Sequence, residues 1–228
     1  MIEAVLFDFD SLIVAGREED MFIEALEDIR EGLSLKFFEF CVEDYEWYGF
    51  CSPEEVLERF FEWETFEPEA KMEQFNEILE EIKENVEVKN QIEDVVEILE
   101  DEGIPVGVVM NSEEEELLLC NLGIIDLFDY VFVGERMGVE KPFENFYKKV
   151  CEIMDLKPFQ VLLVEDFMND IAPANSFGLL TAFLRVGELG KIEKYFEEEG
   201  IDLPEEFEPD YEISSLKGVL DIIDDLNG

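Results

Sequence analysis

Histidine is absent from this chain of 228 residues. That removes every mechanism in which an imidazole activates serine or cysteine, and every metal site built on histidine. Acid–base work at neutral pH falls to carboxylates or lysine. Positive charge is scarce as well: 16 Lys and Arg stand against 61 Asp and Glu, a net charge of −45. A surface of that sign repels nucleic acid and anionic membranes, so neither is an expected partner. By itself such an acidic surface reads as a solubility device, or as adaptation to a salt-rich interior where screening is strong. The 4 cysteines (Cys41, Cys51, Cys120, Cys151) form no CxxC pair, the pattern expected of free thiols in a reducing compartment. No basic leader precedes the first apolar run, and no apolar run reaches the ~18 residues of a membrane span. The expectation is a cytoplasmic protein, monomer or homodimer.

What the chain does have is core. Hydrophobic residues make up 47%, including 21 Phe. Short continuous apolar runs recur: Ala4 to Phe7, stopping at Asp8; Pro105 to Met110, stopping at Asn111; Tyr130 to Val133; and Val161 to Val164, stopping at Glu165 and Asp166. Leu179 to Leu184 and Tyr211 to Ile213 continue the series. Runs of this kind suit strands buried on both faces of a parallel sheet. Helical text separates them. Gln91 to Glu102 carries Ile92, Val95, Val96 and Leu99 at helical spacing and stops at Gly103. Glu113 to Leu122, Phe143 to Met154, Asn169 to Phe177 and Leu216 to Leu226 follow. Strands alternating with helices predict an α/β fold with a doubly wound parallel sheet.

Residues from about Arg17 to Val88 break this rhythm and show no strand-like run. Met21, Phe22, Ala25, Leu26 and Ile29 share a helical face. Ser52-Pro53-Glu54-Glu55 is a helix start, with Ser as N-cap and Pro in the first turn. Val56, Leu57, Phe60 and Phe61 then face a core, and Met72, Phe75, Ile78 and Leu79 make another helix. The division expected is 1–15 with 89–228 as one α/β core, and 16–88 as an all-helical module inserted after the first strand. The Glu113 to Glu116 run reads as solvated helix surface.

The polar residues of interest follow strand ends, where open α/β sheets bind ligands. Asp8 and Asp10 follow the first strand, Asn111 and Ser112 the second, and Glu165, Asp166 and Asp170 the fourth. Lys141 precedes a helix. Carboxylates gathered at one spot repel each other unless a cation neutralises them. Mg²⁺ suits a few carboxylates plus waters and a substrate oxygen. A dication and a lysine beside an aspartate form a site for a phosphoryl group, which the cations hold while the carboxylate attacks. Asp170 has a second reading, as the cap of the helix that follows it.

Val5-Leu6-Phe7-Asp8-Phe9-Asp10 resembles motif I of the haloacid dehalogenase-like superfamily. Lys141-Pro142 resembles its motif III, and Val164-Glu165-Asp166 through Asp170-Ile171 its motif IV. The insert sits where phosphatases of the family carry a helical cap, and Gly49 to Ser52 resembles the cap's specificity loop. The resemblance implies a three-layer Rossmann-like core and a Mg²⁺-dependent phosphatase acting on a small phosphorylated metabolite through an aspartyl-phosphate. It implies Asp8 as nucleophile and metal ligand, and Asp10 as acid/base, with its carbonyl on the metal. Asn111, Ser112 and Lys141 would hold the phosphoryl group. Asp166 would complete the metal site, with Glu165 and Asp170 beside it. Two positions depart from the pattern. Leu12 stands where the family usually has Thr or Val, and Met110 where a Ser or Thr hydroxyl normally binds phosphate. Losing one charge-assisted hydrogen bond costs about 1.5–3 kcal/mol, which weakens catalysis without abolishing it. The alternative is therefore a catalytically weakened binding or regulatory member. A 2-haloacid dehalogenase ranks lower because Asp10 and the Glu165–Asp166 pair are superfluous to it, and a phosphomutase because the insert offers few bases.

Overall fold

A computed structural model describes residues 1–15, 18–43, 53–64, 67–82, 87–88, 91–166, 168–185 and 208–228. The first strand, β1 (Ala4–Asp8), is buried along its whole length. An apolar run with no polar alternation has no solvent face, so it sits in the middle of a sheet covered on both sides. β4 (Val106–Met110) and β6 (Val161–Glu165) have the same uninterrupted burial and flank it. Outside them lie β5 (Tyr130–Val133) on one side, and β7 (Leu180–Leu184) and β8 (Tyr211–Ile213) on the other. The order is β5-β4-β1-β6-β7-β8, with every pairing parallel. The α/β doubly wound class expected from the sequence is the class observed. Chain order turns in opposite directions on the two sides of β1, which places the topological switch point at the carboxyl end of β1.

The helices of this part of the chain cover both faces. α8 (Glu144–Met154) and α9 (Met168–Phe177) pack together, and Phe146, Tyr147 and Val150 meet Ala4, Leu6, Val109 and Leu163 in one buried cluster. Val5 and Phe7 point the other way and are as fully buried. α5 (Gln91–Asp101) buries the four apolar positions anticipated for it, and packs against β4 and against α10 (Gly218–Asn227). Gly103 stands at φ +75°, a backbone conformation that ends α5 and that a side chain disfavours. α6 (Glu113–Leu122) follows β4, and the single turn α7 (Gly134–Met137) follows β5.

The chain divides into two compact units. One comprises Met1–Ile13, Val88–Val186 and Pro204–Gly228; the described residues of the other fall within Val14–Glu87. The second unit is helical: α1 (Glu18–Ile29), α2 (Leu33–Glu43), α3 (Pro53–Trp63) and α4 (Pro68–Ile82). Its core is aromatic. Phe37 and Phe60 meet edge to face with centroids 5.3 Å apart, and Phe22 meets Phe75 at 4.9 Å. One expectation fails here. A two-stranded sheet pairs β2 (Ile13–Ala15) with β3 (Glu87–Val88), where no strand was predicted. Segments of three and two residues are too short to express a period of two. The expected Ser52 cap and the 49–52 loop lie outside the described residues. No described helix is long and apolar enough to cross a membrane.

Candidate active site

β1 delivers Asp8 as its last residue, 4% exposed and in register with Val109 of β4. The backbone then turns tightly. Asp10 N donates to Asp8 Oδ2 at 2.9 Å, and the buried Ser11 hydroxyl donates to the Asp8 carbonyl at 2.6 Å. These bonds hold the Asp8 carboxylate and the half-buried Asp10 at the strand end. Leu12 is fully buried and Met110 nearly so; at both departures from the motif pattern, an apolar side chain packs inward.

β6 delivers Glu165, its final residue, followed by Asp166; they are 0% and 1% exposed. Asp8, Glu165 and Asp166 form the acidic group that burial and geometry single out among the described residues. Each offers an oxygen, and the oxygens lie within 4.8 Å of one another. All the donors are hard carboxylate oxygens, which suit a hard dication in preference to a soft metal.

Lys141 enters this group from the loop before α8. Its Nζ bonds Asp8 Oδ1, Glu165 Oε1 at 2.9 Å and Asp170 Oδ2 at 3.0 Å. Asp170 occupies the third position of α9, so it joins the cluster from inside the first turn. Burial alone would drive the proton from Lys141, but Asp8, Glu165 and Asp170 hold its pKa well above the ordinary lysine value. Burial raises the Glu165 carboxyl well above the usual range; Asp8 adds to this, against the pull of Lys141. Burial likewise raises Asp170, with Lys141 opposing and Asp8 reinforcing. Three carboxyl groups thus face one ammonium, and Asp166 stands beside two of them, an acidic excess that a bound dication would relieve.

Of the remaining predicted residues, Asn111 serves Lys141 directly. Its Oδ1 accepts from Lys141 N at 2.7 Å, and its Nδ2 donates to Lys141 O at 3.4 Å. Gly134 makes room: a Cβ there would stand 3.0 Å from Asn111 Oδ1. Ser112 is the N-cap of α6, its hydroxyl accepting from Glu115 N at 3.2 Å. The structure therefore engages the Ser112 hydroxyl in capping.

Two residues near the cluster escaped the sequence reading. Glu115 is part-buried, and its Oε2 accepts from Asn111 N at 2.8 Å and from Ser112 N at 2.7 Å. The expectation that the Glu113 to Glu116 run is solvated surface fails at this position. Burial raises its pKa against the Ser112 amide bond, and Asp8 adds to the rise. The Ser112-x-x-Glu115 spacing of a capping box was the available signal. Tyr147 is fully buried on the inner face of α8. Burial and the charges of Asp170 and Glu165 push its pKa well above the ordinary tyrosine value. Only the helical period pointed inward there, and it does not separate a core residue from one beside a site.

This arrangement has relatives. Over 133 residues the chain is 25% identical to the glyceraldehyde 3-phosphate phosphatase of Pyrococcus furiosus, covering 57% of this chain and 52% of that one. Over 92 residues it is 28% identical to the phosphoglycolate phosphatase of Neisseria meningitidis, covering 40% and 39%. The chain spans about half the length of the first of the curated relatives it matches. In fold it is similar to a predicted phosphoglycolate phosphatase from Haemophilus somnus, with a TM-score of 0.62 at 20% identity over 97% of both chains. It is also similar to the L-2-haloacid dehalogenase of Xanthobacter autotrophicus, with a TM-score of 0.59 at 18% identity over 98% and 99%. The model of the haloacid dehalogenase-like hydrolases matches residues 5–184, from the first residues of β1 to the end of β7, and the chain belongs to that family.

Proposed function

We propose that the chain is a Mg²⁺-dependent phosphatase of small phosphate monoesters, with Asp8 as nucleophile and Asp10 as general acid and base. The observation that carries this reading is the convergence of Asp8, Glu165 and Asp170 on Lys141, with Asp166 beside Asp8 and Glu165, at the carboxyl ends of the adjacent strands β1 and β6. Relatives named as phosphatases support it. Asp8, Glu165 and Asp166 would hold the ion, with the Asp10 carbonyl as a further oxygen and Asp170 beside them. Bound there, Mg²⁺ would neutralise charge developing on the phosphoryl oxygens.

The chemistry of the chain's own groups follows. An oxygen of Asp8 attacks phosphorus, and the bond to the ester oxygen breaks. Asp10 passes its proton to the departing alkoxide, then takes a proton from the water that attacks the phosphoryl group on Asp8. Water addition releases orthophosphate and restores the Asp8 carboxylate. Lys141 holds phosphoryl oxygens and keeps Asp8 oriented. In this reading 1–15 and 89–228 form the catalytic core, and 16–88 is the inserted cap.

The test is phosphate release from p-nitrophenyl phosphate with Mg²⁺, with EDTA, and in Asp8→Asn. Rates are expected to fall on the order of 10³-fold or more in the variant, and to fall to background in EDTA. Activity that survives both treatments removes the proposal. The buried Met110, which offers no hydroxyl at the end of β4, favours a second reading as a weakened member. A gain of turnover in Met110→Thr would show an impaired site in place of an inert one. Metal-independent chloride release from a 2-haloacid would move the assignment to dehalogenation.

A further inference from the structure

Asn111 and Ser112 donate their backbone N–H groups to one oxygen, Glu115 Oε2. A capping box requires only the bond from Ser112, the N-cap residue, to the side chain three positions on. The bond from Asn111 comes from the residue before the cap, just past the end of β4. Two successive amides converging on one oxygen make a seat for an anionic oxygen, and the dipole at the start of α6 deepens its positive potential. The seat borders the acidic cluster. Asp8 pairs with Val109 across the sheet, two residues before Asn111. The Asn111 side chain grips the backbone of Lys141, whose Nζ bonds Asp8. The charge of Asp8 is felt at Glu115, and so is that of Lys141.

We propose that Glu115 is a resident anion in the substrate's seat: its carboxylate competes with an incoming phosphoryl group for the Asn111 and Ser112 amides, and so sets how tightly this chain holds phosphate. The inference rests on the phosphatase reading and adds a specificity-determining residue to it. The exchange is between like charges, and both cannot occupy the same two donors. An ester gains binding from the rest of its structure and can displace the carboxylate. Orthophosphate has only its own oxygens to offer, and is a weak ligand of the wild-type protein. Glu113 and Glu114 of the same turn are exposed, so solvent is close at hand for the displaced side chain.

The experiment is calorimetric titration of the full chain with orthophosphate at saturating Mg²⁺, in wild type, Glu115→Gln and Glu115→Ala. KM and kcat for p-nitrophenyl phosphate are measured on the same samples. Gln keeps an acceptor for the helix cap and removes the charge, so it carries the test should the Ala variant fail to fold. Orthophosphate affinity is expected to rise about tenfold or more in both variants, and KM to fall with a smaller change in kcat. Unchanged or weaker phosphate affinity in Glu115→Gln, with a lowered Tm in Glu115→Ala, would assign Glu115 to capping alone and overturn the proposal. Binding needs no turnover, so the two readings separate. An inert wild type whose Glu115→Gln form gains phosphate affinity would keep the seat and sink the phosphatase. An active wild type with indifferent variants would do the reverse.

Discussion

Glu64 in the helical unit and Glu165 in the sheet both have nearly inaccessible side chains, 7% and 0% exposed, and both face lysine. Their surroundings are opposite in balance. Glu64 receives two cations: Lys36 Nζ at 2.9 Å and the Arg30 guanidinium. Burial works to raise its pKa, and the bonds from Lys36 and Arg30 outweigh that and hold it below the ordinary value. Glu165 shares one cation with Asp8 and Asp170, and its pKa is driven up. The first centre has charge in reserve and is complete without a ligand. The second has an excess of one sign, which costs stability until a cation or proton arrives. The difference separates an ion pair that supports a fold from a cluster arranged for chemistry.

The largest test breaks the second centre. Lys141→Met strands buried carboxylates, and should lower the stability of the metal-free protein by about 3–5 kcal/mol. Chemical denaturation measures the loss, and added Mg²⁺ should recover part of it through binding to the folded state. A stability unchanged by Lys141→Met would mean that the cluster is not charged as described. Glu165→Gln should act in the opposite direction, adding about 0.5–2 kcal/mol in the absence of divalent cations while phosphate release falls. The sign follows from linkage. A carboxyl with a raised folded pKa destabilises the protein when ionised, and sheds that penalty as pH falls through the raised value. The gap in stability between Glu165→Gln and wild type should therefore narrow as pH drops below neutral. A gap that widens on acidification would contradict the raised pKa.

The smallest effect belongs to the balanced centre. Glu64→Gln should cost about 0.5–1 kcal/mol, because Arg30 and Lys36 are themselves partly exposed and screened. Glu64 has the opposite pH dependence to Glu165. Its contribution is present above the carboxyl pKa of the unfolded chain, and is lost as pH falls through its own lowered value. Denaturation of Glu64→Gln at two salt concentrations should show the deficit shrinking at high salt. A deficit indifferent to salt would point to packing in place of charge.

The sheet was legible because β1, β4 and β6 are apolar without interruption, a pattern that local sequence expresses in full. The strand ends were legible for the same reason: each run stops at the polar residue it presents. The pair β2 and β3 was not, since two or three residues carry no period. Glu115 was misjudged because a run of four glutamates looks uniform in text. Only the helix register, combined with the position of the Asn111 amide, turns Glu115 toward the end of β4.

The chain's local order thus determined the parallel strands, the helices between them, and the polar residue at each strand terminus, because hydrophobic period and strand breaks act over a few neighbouring residues. Only tertiary structure decided that Lys141, 133 positions from Asp8, serves Asp8, Glu165 and Asp170 together. It also decided that Asn111 spends its side chain on the Lys141 backbone and its N–H on Glu115. Those choices depend on strand order and on which loops meet at the switch point, and electrostatic balance acts through space without regard to distance along the chain.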